Sequence, residues 1–242
     1  MENYIHHPDS LGLAYQDYYN GNKDAVFTLY SKMFEPDDIP VSHFFRTFSK
    51  MPPLEKRALK ECKGSVLDVG AGSGTHSIVL QKTHQITALD ISPLSVEIMK
   101  KRGIQDVVCQ DFFSYTEKKF DTILFLMNGI GLIESITHFP RFFSHLETLL
   151  QPDGQVLIDS SDLRYLYEQE DGSFLIPLQD TYYGEVDYQI AFKNYISKPY
   201  SWVYVDFETL SDAASNAGFT CELIAQGKHY DFLVRIQKQN LL

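Results

Sequence analysis

The segment Val66–Thr75 constrains the fold of this chain more than any other feature. A short apolar run leads into Gly70, Gly72 and Gly74 and then into a helical pattern. Glycine adopts left-handed backbone angles easily and leaves no side chain between a turn and a ligand. A buried strand, a glycine turn and a helix in this order are typical of open α/β sheets, which bind ligands at the carboxyl ends of their strands. We therefore expect a ligand site at this turn.

The spacing of these glycines and the acid before them indicate which class of ligand the turn can bind. Turns that bind dinucleotides have the spacing GxGxxG, whereas this chain has GxGxG with Asp68 two positions before the first glycine. A carboxylate at Asp68 would repel a diphosphate, but it can help to hold an ammonium group directly or through water. S-adenosylmethionine (SAM) carries an ammonium group and a sulfonium and has no phosphate, so the turn is suited to it.

Acids also end the next two apolar runs. Asp90 ends the run Ile86–Asp90 and is placed to accept hydrogen bonds from both ribose hydroxyls, each contributing roughly 1.5–3 kcal/mol. Asp111 and Phe112 end the third run and suit the amine and the ring of adenine, although an acid there can also serve the turn alone. The predicted cofactor contacts in these segments are Asp68, Gly70, Ala71, Gly72, Ser73, Gly74, Asp90, Ile91, Asp111 and Phe112.

Together these motifs resemble those of class I SAM-dependent methyltransferases. The resemblance is carried by the glycine motif Val66–Gly74, the ribose acid Asp90, the adenine segment Gln110–Phe112, the fourth-strand motif Phe120–Phe125 and the post-helix strand Leu150–Ile158. It implies an α/β fold with a Rossmann-like, seven-stranded, mostly parallel sheet of order 3-2-1-4-5-7-6, in which strand 7 is antiparallel and helices cover both faces. It also implies SAM as the cofactor and methyl transfer as the activity.

The pattern along the chain predicts a single methyltransferase domain over residues 1–242. Its parts are a helical cap (1–62), a SAM-binding core (63–160), a substrate or lid insertion after strand 5 (161–205), and a closing helix with a β-hairpin (206–242). Within the cap, helices are expected over Leu11–Asn20, Asp24–Phe34 and roughly Ser42–Cys62, the last of them broken at Pro52-Pro53. Within the insertion, alternating residues predict a half-exposed antiparallel strand over Glu185–Ile196.

Composition excludes several classes of partner. The net charge of −11 would repel nucleic acid, and the longest apolar stretch, Thr122–Ile133, is too short to span a bilayer. Cys62, Cys109 and Cys221 are widely spaced without a CxxC pair, and His6-His7 lacks a third ligand, so we expect no metal. Unpaired thiols are typical of the cytoplasm, where we place the protein as a monomer or a homodimer.

The acceptor is expected near the end of the fourth strand. Met127 and Asn128 follow that strand and are predicted to contact the cofactor, with Asn128 alternatively only forming the turn. Tyr15 and Tyr19 share a helix face and are proposed lid contacts of the cofactor, with simple packing as the alternative. The insertion is rich in aromatic residues, which suits a partly apolar small-molecule acceptor or a dimer surface.

Catalytic residues are less well defined by the sequence. Methyl transfer from a sulfonium is an in-line displacement, and it needs a general base only if the acceptor arrives protonated. The candidates are Asn128, Asp159 and Asp162, which follow the fourth and fifth strands. Weaker candidates are His43, His76, His138 and His229 as bases and Arg46 as a partner of an acceptor carboxylate, with a surface ion pair as the alternative for Arg46.

Three other functions remain open at this stage. An aminopropyltransferase has the same fold and uses decarboxylated SAM, but no acidic pair for a polyamine is evident. A non-catalytic protein that binds SAM or its product S-adenosyl-L-homocysteine (SAH) would keep the same glycine motif. An NAD-linked oxidoreductase would need space for a diphosphate, which Asp68 disfavours.

Overall fold

The computed structural model describes residues 4–176 and 181–239, which fall into two compact units. The first unit comprises Met1–Met51, Leu67–Tyr115 and Asp187–Tyr200; the second comprises Pro52–Val66, Thr116–Val186 and Ser201–Leu242. The described α-helices are α1 (Ser10–Tyr19), α2 (Pro53–Glu61), α3 (Ser77–Leu80), α4 (Pro93–Lys101), α5 (Phe139–Leu149) and α6 (Phe207–Asn216). The described strands are β1 (Ile5–His6), β2 (Val26–Ser31), β3 (Asp37–Pro40), β4 (Ser65–Val69), β5 (Gln85–Asp90), β6 (Val107–Cys109), β7 (Phe120–Phe125), β8 (Leu150–Ser161), β9 (Glu185–Phe192), β10 (Tyr195–Ile196), β11 (Tyr200–Val203), β12 (Phe219–Gln226) and β13 (Asp231–Lys238).

The larger sheet has seven strands in the order β12-β13-β8-β7-β4-β5-β6. β13 pairs antiparallel with both of its neighbours, whereas the pairs β7–β8 and β5–β6 are parallel. When these seven strands are numbered along the chain, the order is 3-2-1-4-5-7-6 with the seventh antiparallel. This confirms the predicted α/β fold class.

The helix boundaries in the core follow local signals in the sequence. The Ser92 side chain accepts from the Ser95 N–H, and Pro93 occupies the first position of α4. Asp206 caps α6 in the same way by accepting from the Thr209 N–H. α5 buries its apolar stripe, including Phe142 at 0% exposure, because those residues recur at helical spacing.

The helix predicted over Asp24–Phe34 is wrong, because this segment forms the strand β2. Its residues include Val26, Phe27, Thr28 and Tyr30, whose β-branched or aromatic side chains favour a strand. Val26 is exposed while Phe27 is buried, as expected for alternating faces. The cap is therefore partly a sheet and not wholly helical.

The helical segment predicted from Ser42 is broken at Pro52-Pro53 as expected, but its first part is not an α-helix. Residues Val41–Phe45 and Phe48–Lys50 form 3₁₀ turns, and the α-helix α2 begins only at Pro53. The two prolines explain this boundary, since a residue before proline is disfavoured in the helical conformation and proline itself suits the first helical turn.

The N-terminal strands and the insertion form a second sheet of order β1-β10-β9-β2-β3, with β11 paired to β9. β2 pairs antiparallel with β9, and β1 pairs parallel with β10. The predicted strand over Glu185–Ile196 is confirmed for β9, whose Val186, Tyr188, Ile190 and Phe192 are buried on one face. It ends before Lys193, which turns the chain with a φ of +54°.

The first unit has a core to which this second sheet contributes. Its buried members are Ala14, Tyr15, Ala25, Phe27, Val41, Ile98, Ile190 and Phe192. Tyr15 lies on α1 and Ile98 on α4, so one cluster joins the N-terminal helix to the helix that follows β5. Among the described residues, no helix is long and apolar enough to cross a membrane.

Candidate cofactor and acceptor sites

The glycine turn lies between β4 and α3 and has left-handed backbone angles at all three glycines. The φ angles are +66° at Gly70, +57° at Gly72 and +79° at Gly74. A Cβ atom at Gly74 would stand 2.1 Å from the Ile104 side chain, so glycine is needed there for packing. A Cβ atom at Gly70 would meet nothing within 4 Å. The turn therefore leaves open space beside Gly70, where a ligand can approach the backbone.

Asp90 stands at the end of β5 and faces this turn. Its carboxylate accepts hydrogen bonds from the Gly72 N–H at 2.7 Å and from the Ser92 N–H at 2.8 Å. Burial raises the pKa of Asp90 to about 6, these two bonds oppose the rise, and the charges of Asp9 and Asp68 add to it. Each carboxylate oxygen can accept more than one hydrogen bond, so Asp90 keeps capacity for a ligand hydroxyl.

Asp68 lies deeper than the sequence indicated. It is 2% exposed and accepts a hydrogen bond from the Ser77 hydroxyl at 2.6 Å. Burial raises the pKa of Asp68, whereas the nearby His76 lowers it. Its visible role in the structure is to tie β4 to the start of α3, which fixes the two sides of the glycine turn.

Arg102 holds the turn from outside, which sequence reasoning missed. Its guanidinium donates to the Ser73 carbonyl at 2.6 Å and to the Ser73 hydroxyl at 2.7 Å, and it lies over the ring of Phe45. The hydroxyls of Ser73 and Thr75 both donate to the carbonyl of Phe44. In the sequence, Arg102 only fits the cationic end of α4, and no spacing rule relates it to a turn 29 residues earlier.

The structure brings Tyr15 to the glycine turn but not Tyr19. Tyr15 is 2% exposed, and its hydroxyl oxygen lies 3.3 Å from the position of a Cβ atom on Gly72. Burial and then the charge of Asp90 raise the pKa of Tyr15, so its hydroxyl stays protonated. Tyr19 is 37% exposed and donates to the Lys101 carbonyl at 3.1 Å, at the far end of α4.

The remaining predicted cofactor residues follow β5 and β6. The Gln110 N–H donates to the Asp90 carbonyl at 3.1 Å, so the ends of the two strands are adjacent. Asp111 is exposed and accepts from the Ser114 hydroxyl at 3.2 Å, while Phe112 is only 4% exposed. Ile91 is 70% exposed directly after Asp90 and offers apolar surface beside the ribose acid.

In the second unit, Met127 and Asn128 form a strained turn after β7. Both have positive φ angles, +62° and +57°, which cost energy in residues other than glycine. Asp159, near the end of the neighbouring strand β8, accepts from the Met127 N–H at 3.0 Å and the Asn128 N–H at 2.7 Å. Asn128 Oδ1 in turn accepts from the Ser161 hydroxyl at 3.0 Å. The structure thus brings together Asn128 and Asp159, two of the candidate catalytic residues.

Asp162 belongs to a separate buried network. It is 6% exposed and accepts hydrogen bonds from the Arg164 guanidinium and, at 2.7 Å, from the Tyr183 hydroxyl. Tyr182 donates to Asp206 at 2.5 Å. Arg164 and Tyr183 thus engage the carboxylate of Asp162, while Tyr182 joins the insertion to the cap of α6.

The insertion contacts the turn that follows Asn128. A Cβ atom on Gly131 would lie 2.0 Å from Nε1 of Trp202, so the indole of Trp202 rests directly on this glycine. Glu185 accepts from the Ile136 N–H at 3.0 Å. Both ends of the β insertion within the second unit therefore pack on the segment after β7.

The other polar candidates occupy structural positions. His76 is 5% exposed before α3, and Nδ1 of His138 lies 2.6 Å from the Ile133 carbonyl before α5. His43 and His229 are exposed. Arg46 is 8% exposed, so its side chain is buried, and it donates to the His43 carbonyl. Within the two described ranges, no three His, Cys, Asp or Glu side chains form a metal-binding group.

Comparison with known proteins decides the family. Residues 44–224, more than half of the chain, match the family model of a methyltransferase domain. The chain belongs to the class I SAM-dependent methyltransferases. A SAM-dependent methyltransferase from Bacteroides fragilis, crystallised with SAH, is 45% identical to this methyltransferase, with 98% of this chain and 99% of that chain covered and a TM-score of 0.89. SAM is accordingly its cofactor.

More distant solved structures share the fold of this methyltransferase. The sugar N-methyltransferase KedS8 from Streptoalloteichus sp. ATCC 53650 is 18% identical, with 82% of this chain and 92% of that chain covered and a TM-score of 0.56. DesVI from Streptomyces venezuelae is 16% identical, with coverages of 93% and 97% and a TM-score of 0.55. A sequence search of curated proteins finds no match.

The described residues of this methyltransferase fit SAM. The space beside Gly70 admits a ligand against the backbone, and Asp90 can accept from ribose hydroxyls. The Arg102 guanidinium at the turn is bonded to Ser73, and the charges of Asp9 and Asp68 act on Asp90. Such surroundings disfavour a diphosphate and tolerate a cationic nucleoside.

Proposed function

We propose that this methyltransferase transfers the methyl group of SAM to a small-molecule acceptor by in-line displacement. The observation that carries the proposal is the packing of the aromatic insertion on the turn after β7, through Trp202 on Gly131. Insertions of this kind give a site shape and apolar surface, which suit a small molecule more than a polymer.

The cofactor roles are assigned to the residues that the sequence motifs predict. Asp90 accepts hydrogen bonds from the ribose, and Ile91 and Asp111 lie where adenine would be recognised. The proposed cofactor-binding set is Tyr15, Asp68, Gly70, Ala71, Gly72, Ser73, Gly74, Asp90, Ile91, Asp111, Phe112, Met127 and Asn128. Tyr19 is left out because its hydroxyl is bonded at the end of α4. Asp68 acts by fixing the turn, since it is buried.

The chemistry required of the protein is alignment and exclusion of water. When bound, SAM supplies a methyl group activated by its sulfonium, and the nucleophilic atom of the acceptor displaces the thioether. Asp159 holds Met127 and Asn128 in their strained conformations by accepting both N–H groups. Asp162 is bonded to Arg164 and Tyr183. We therefore assign both acids positioning roles, and the chain need supply no base when the acceptor arrives unprotonated.

A methyl-transfer screen tests the acceptor class. The net charge of −11 opposes nucleic acid as a substrate. The purified protein should be incubated with radiolabelled SAM and, separately, with low-mass metabolite fractions, DNA, RNA and protein extract. The proposal expects label only in the low-mass fraction. Label confined to a polymer would contradict it.

Three further features accompany this proposal. The chain acts as a single methyltransferase domain over residues 1–242, in which 161–205 serves the substrate. Its location is the cytoplasm, supported by Cys62, Cys109 and Cys221, none of which forms a disulfide within the described residues. It works as a monomer or a homodimer, which sedimentation would distinguish.

A further inference from the structure

Asp9 makes hydrogen bonds to two helices at once. Its Oδ1 accepts from the Gly12 N–H at 2.9 Å, which caps α1. Its Oδ2 accepts from the Ser92 hydroxyl at 2.6 Å and from the Leu94 N–H at 3.3 Å, at the start of α4. A carboxylate is favourable at a helix N-terminus, and here one carboxylate serves two of them.

The contact with Ser92 continues to the ribose acid. While the Ser92 hydroxyl donates to Asp9, the Ser92 N–H donates to Asp90 at 2.8 Å. Asp90 also accepts from the Gly72 N–H of the glycine turn. A continuous chain of hydrogen bonds therefore runs from Asp9, the residue immediately before α1, to the cofactor turn.

The sequence of α1 is adapted to this arrangement. Gly12 lies inside the helix, where alanine would normally be more stable. A Cβ atom at Gly12 would stand 2.4 Å from Oδ1 of Asp9, so glycine leaves room for the carboxylate. One turn further along, Tyr15 lies against Gly72. The position of α1 fixed by Asp9 is the position that brings Tyr15 to the turn.

We propose that Asp9 is a positioning residue for the cofactor, which ties the N-terminal helix α1 to the start of α4 and so holds Tyr15 and Asp90 in place for SAM. This role rests on the proposed cofactor contacts of Asp90 and Tyr15. Asp9 lies outside the glycine motif and outside the strand ends from which the other cofactor contacts were predicted.

A side-chain series at position 9 separates the bridge from the helix cap. Asp9→Ser keeps a good cap for α1 but is too short to reach Ser92, whereas Asp9→Asn keeps the length and removes the charge. We expect Asp9→Ser to raise the calorimetric Kd for SAH roughly tenfold and Asp9→Asn to raise it by less than about threefold. The matched control is Asp17→Asn, which removes an acid of the same helix that pairs with Lys193 at 2.7 Å; its Kd should equal that of the wild type.

Hydrogen–deuterium exchange gives a readout that a purely structural role would not change. In the wild type, SAH should slow exchange in α1, and Asp9→Ser should abolish that dependence on SAH. Gly12→Ala should act like Asp9→Ser, because it displaces the carboxylate while the helix is retained. This second variant decides the question if Asp9→Ser fails to fold.

The pH dependence of binding supplies an independent check. The acids whose charges face Asp90 are Asp9 before α1 and Asp68 on β4, and the phenol of Tyr15 on α1 lies close by. Asp9→Asn should move the midpoint of SAH binding against pH to lower pH, since it removes one of the negative charges that disfavour ionised Asp90.

The outcomes distinguish two failures. If the wild type binds SAH and Asp9→Ser binds it with the same Kd and keeps the protection of α1, the role of Asp9 is refuted while the cofactor site stands. If Asp90→Ala leaves the Kd for SAH unchanged, the proposed cofactor contacts fail, and the role of Asp9 fails with them.

Discussion

Lowering the pH from 7 to 5 should weaken the binding of SAH about tenfold, because Asp90 would lose its charge. Its pKa is raised to about 6 by burial, and the Gly72 and Ser92 N–H groups oppose that rise. Raising the pKa from the usual 3.8 to about 6 corresponds to roughly 3 kcal/mol of lost preference for the charged form. Ribose hydroxyls that donate to the carboxylate restore part of this preference, so SAH binds the ionised form. At pH 7 most of the protein has ionised Asp90, and at pH 5 about one molecule in ten does.

The assay is calorimetric titration of SAH at pH values between 5 and 7. Asp90→Asn is the matched variant, because its amide has the same shape and does not titrate. It should bind SAH more weakly at pH 7 and show no change in Kd across this range. An affinity of the wild type that is constant from pH 5 to 7, or an equal pH dependence in Asp90→Asn, would refute the reasoning.

Three further predictions concern the turns. Gly70→Ala should weaken SAH binding more than tenfold, since its methyl group enters the ligand space. The control is Gly218→Ala, which has the same backbone strain of about 1–2 kcal/mol and open surroundings and should leave SAH binding unchanged. Arg102→Met should lower the free energy of unfolding by roughly 2–3 kcal/mol in urea titrations, and a loss below 0.5 kcal/mol would contradict its role in holding the glycine turn. Gly131→Ala should displace the indole of Trp202, the only tryptophan, and change its fluorescence emission; an unchanged spectrum would contradict the contact.

The central sheet and the glycine turn could be predicted because their signals are local. A parallel strand is buried on both faces, so β4, β5 and β7 appear as continuous apolar runs in the sequence. The turn requires positive φ angles, which glycine marks directly. Acids at strand ends could be located for the same reason, since the carboxyl ends of parallel strands lie at one edge of the sheet.

The N-terminal strands could not be predicted from the local pattern. β2 pairs with β9, so its conformation depends on residues about 160 positions later, and helical and strand periods cannot be distinguished in so short a run. The same limit applies to Arg102 and Asp9, whose roles rest on contacts with Ser73 and Ser92. The spacing of residues along the chain does not predict such contacts.

The position of Tyr19 shows that a correct helical period does not by itself fix the contacts of a residue. Tyr15 and Tyr19 are one turn apart on α1, as predicted. One turn of helix advances the chain by about 5.4 Å, so the second tyrosine passes beyond the glycine turn and meets the end of α4. Helical spacing determines which residues share a face of the helix. Which of these residues lies at the glycine turn depends on how far that turn extends along the helix.

Asp90, the acid proposed to hold the ribose, is the residue on which the proposed cofactor site depends most. The direct test is the calorimetric Kd of SAH for Asp90→Ala at pH 7, beside Asp121→Ala, in which the lost acid accepts an N–H from Ser65 at the opposite end of β4. We predict a Kd at least about tenfold higher for Asp90→Ala, from one or two lost charged hydrogen bonds, and an unchanged Kd for Asp121→Ala. A folded Asp90→Ala protein with wild-type affinity for SAH would contradict the account.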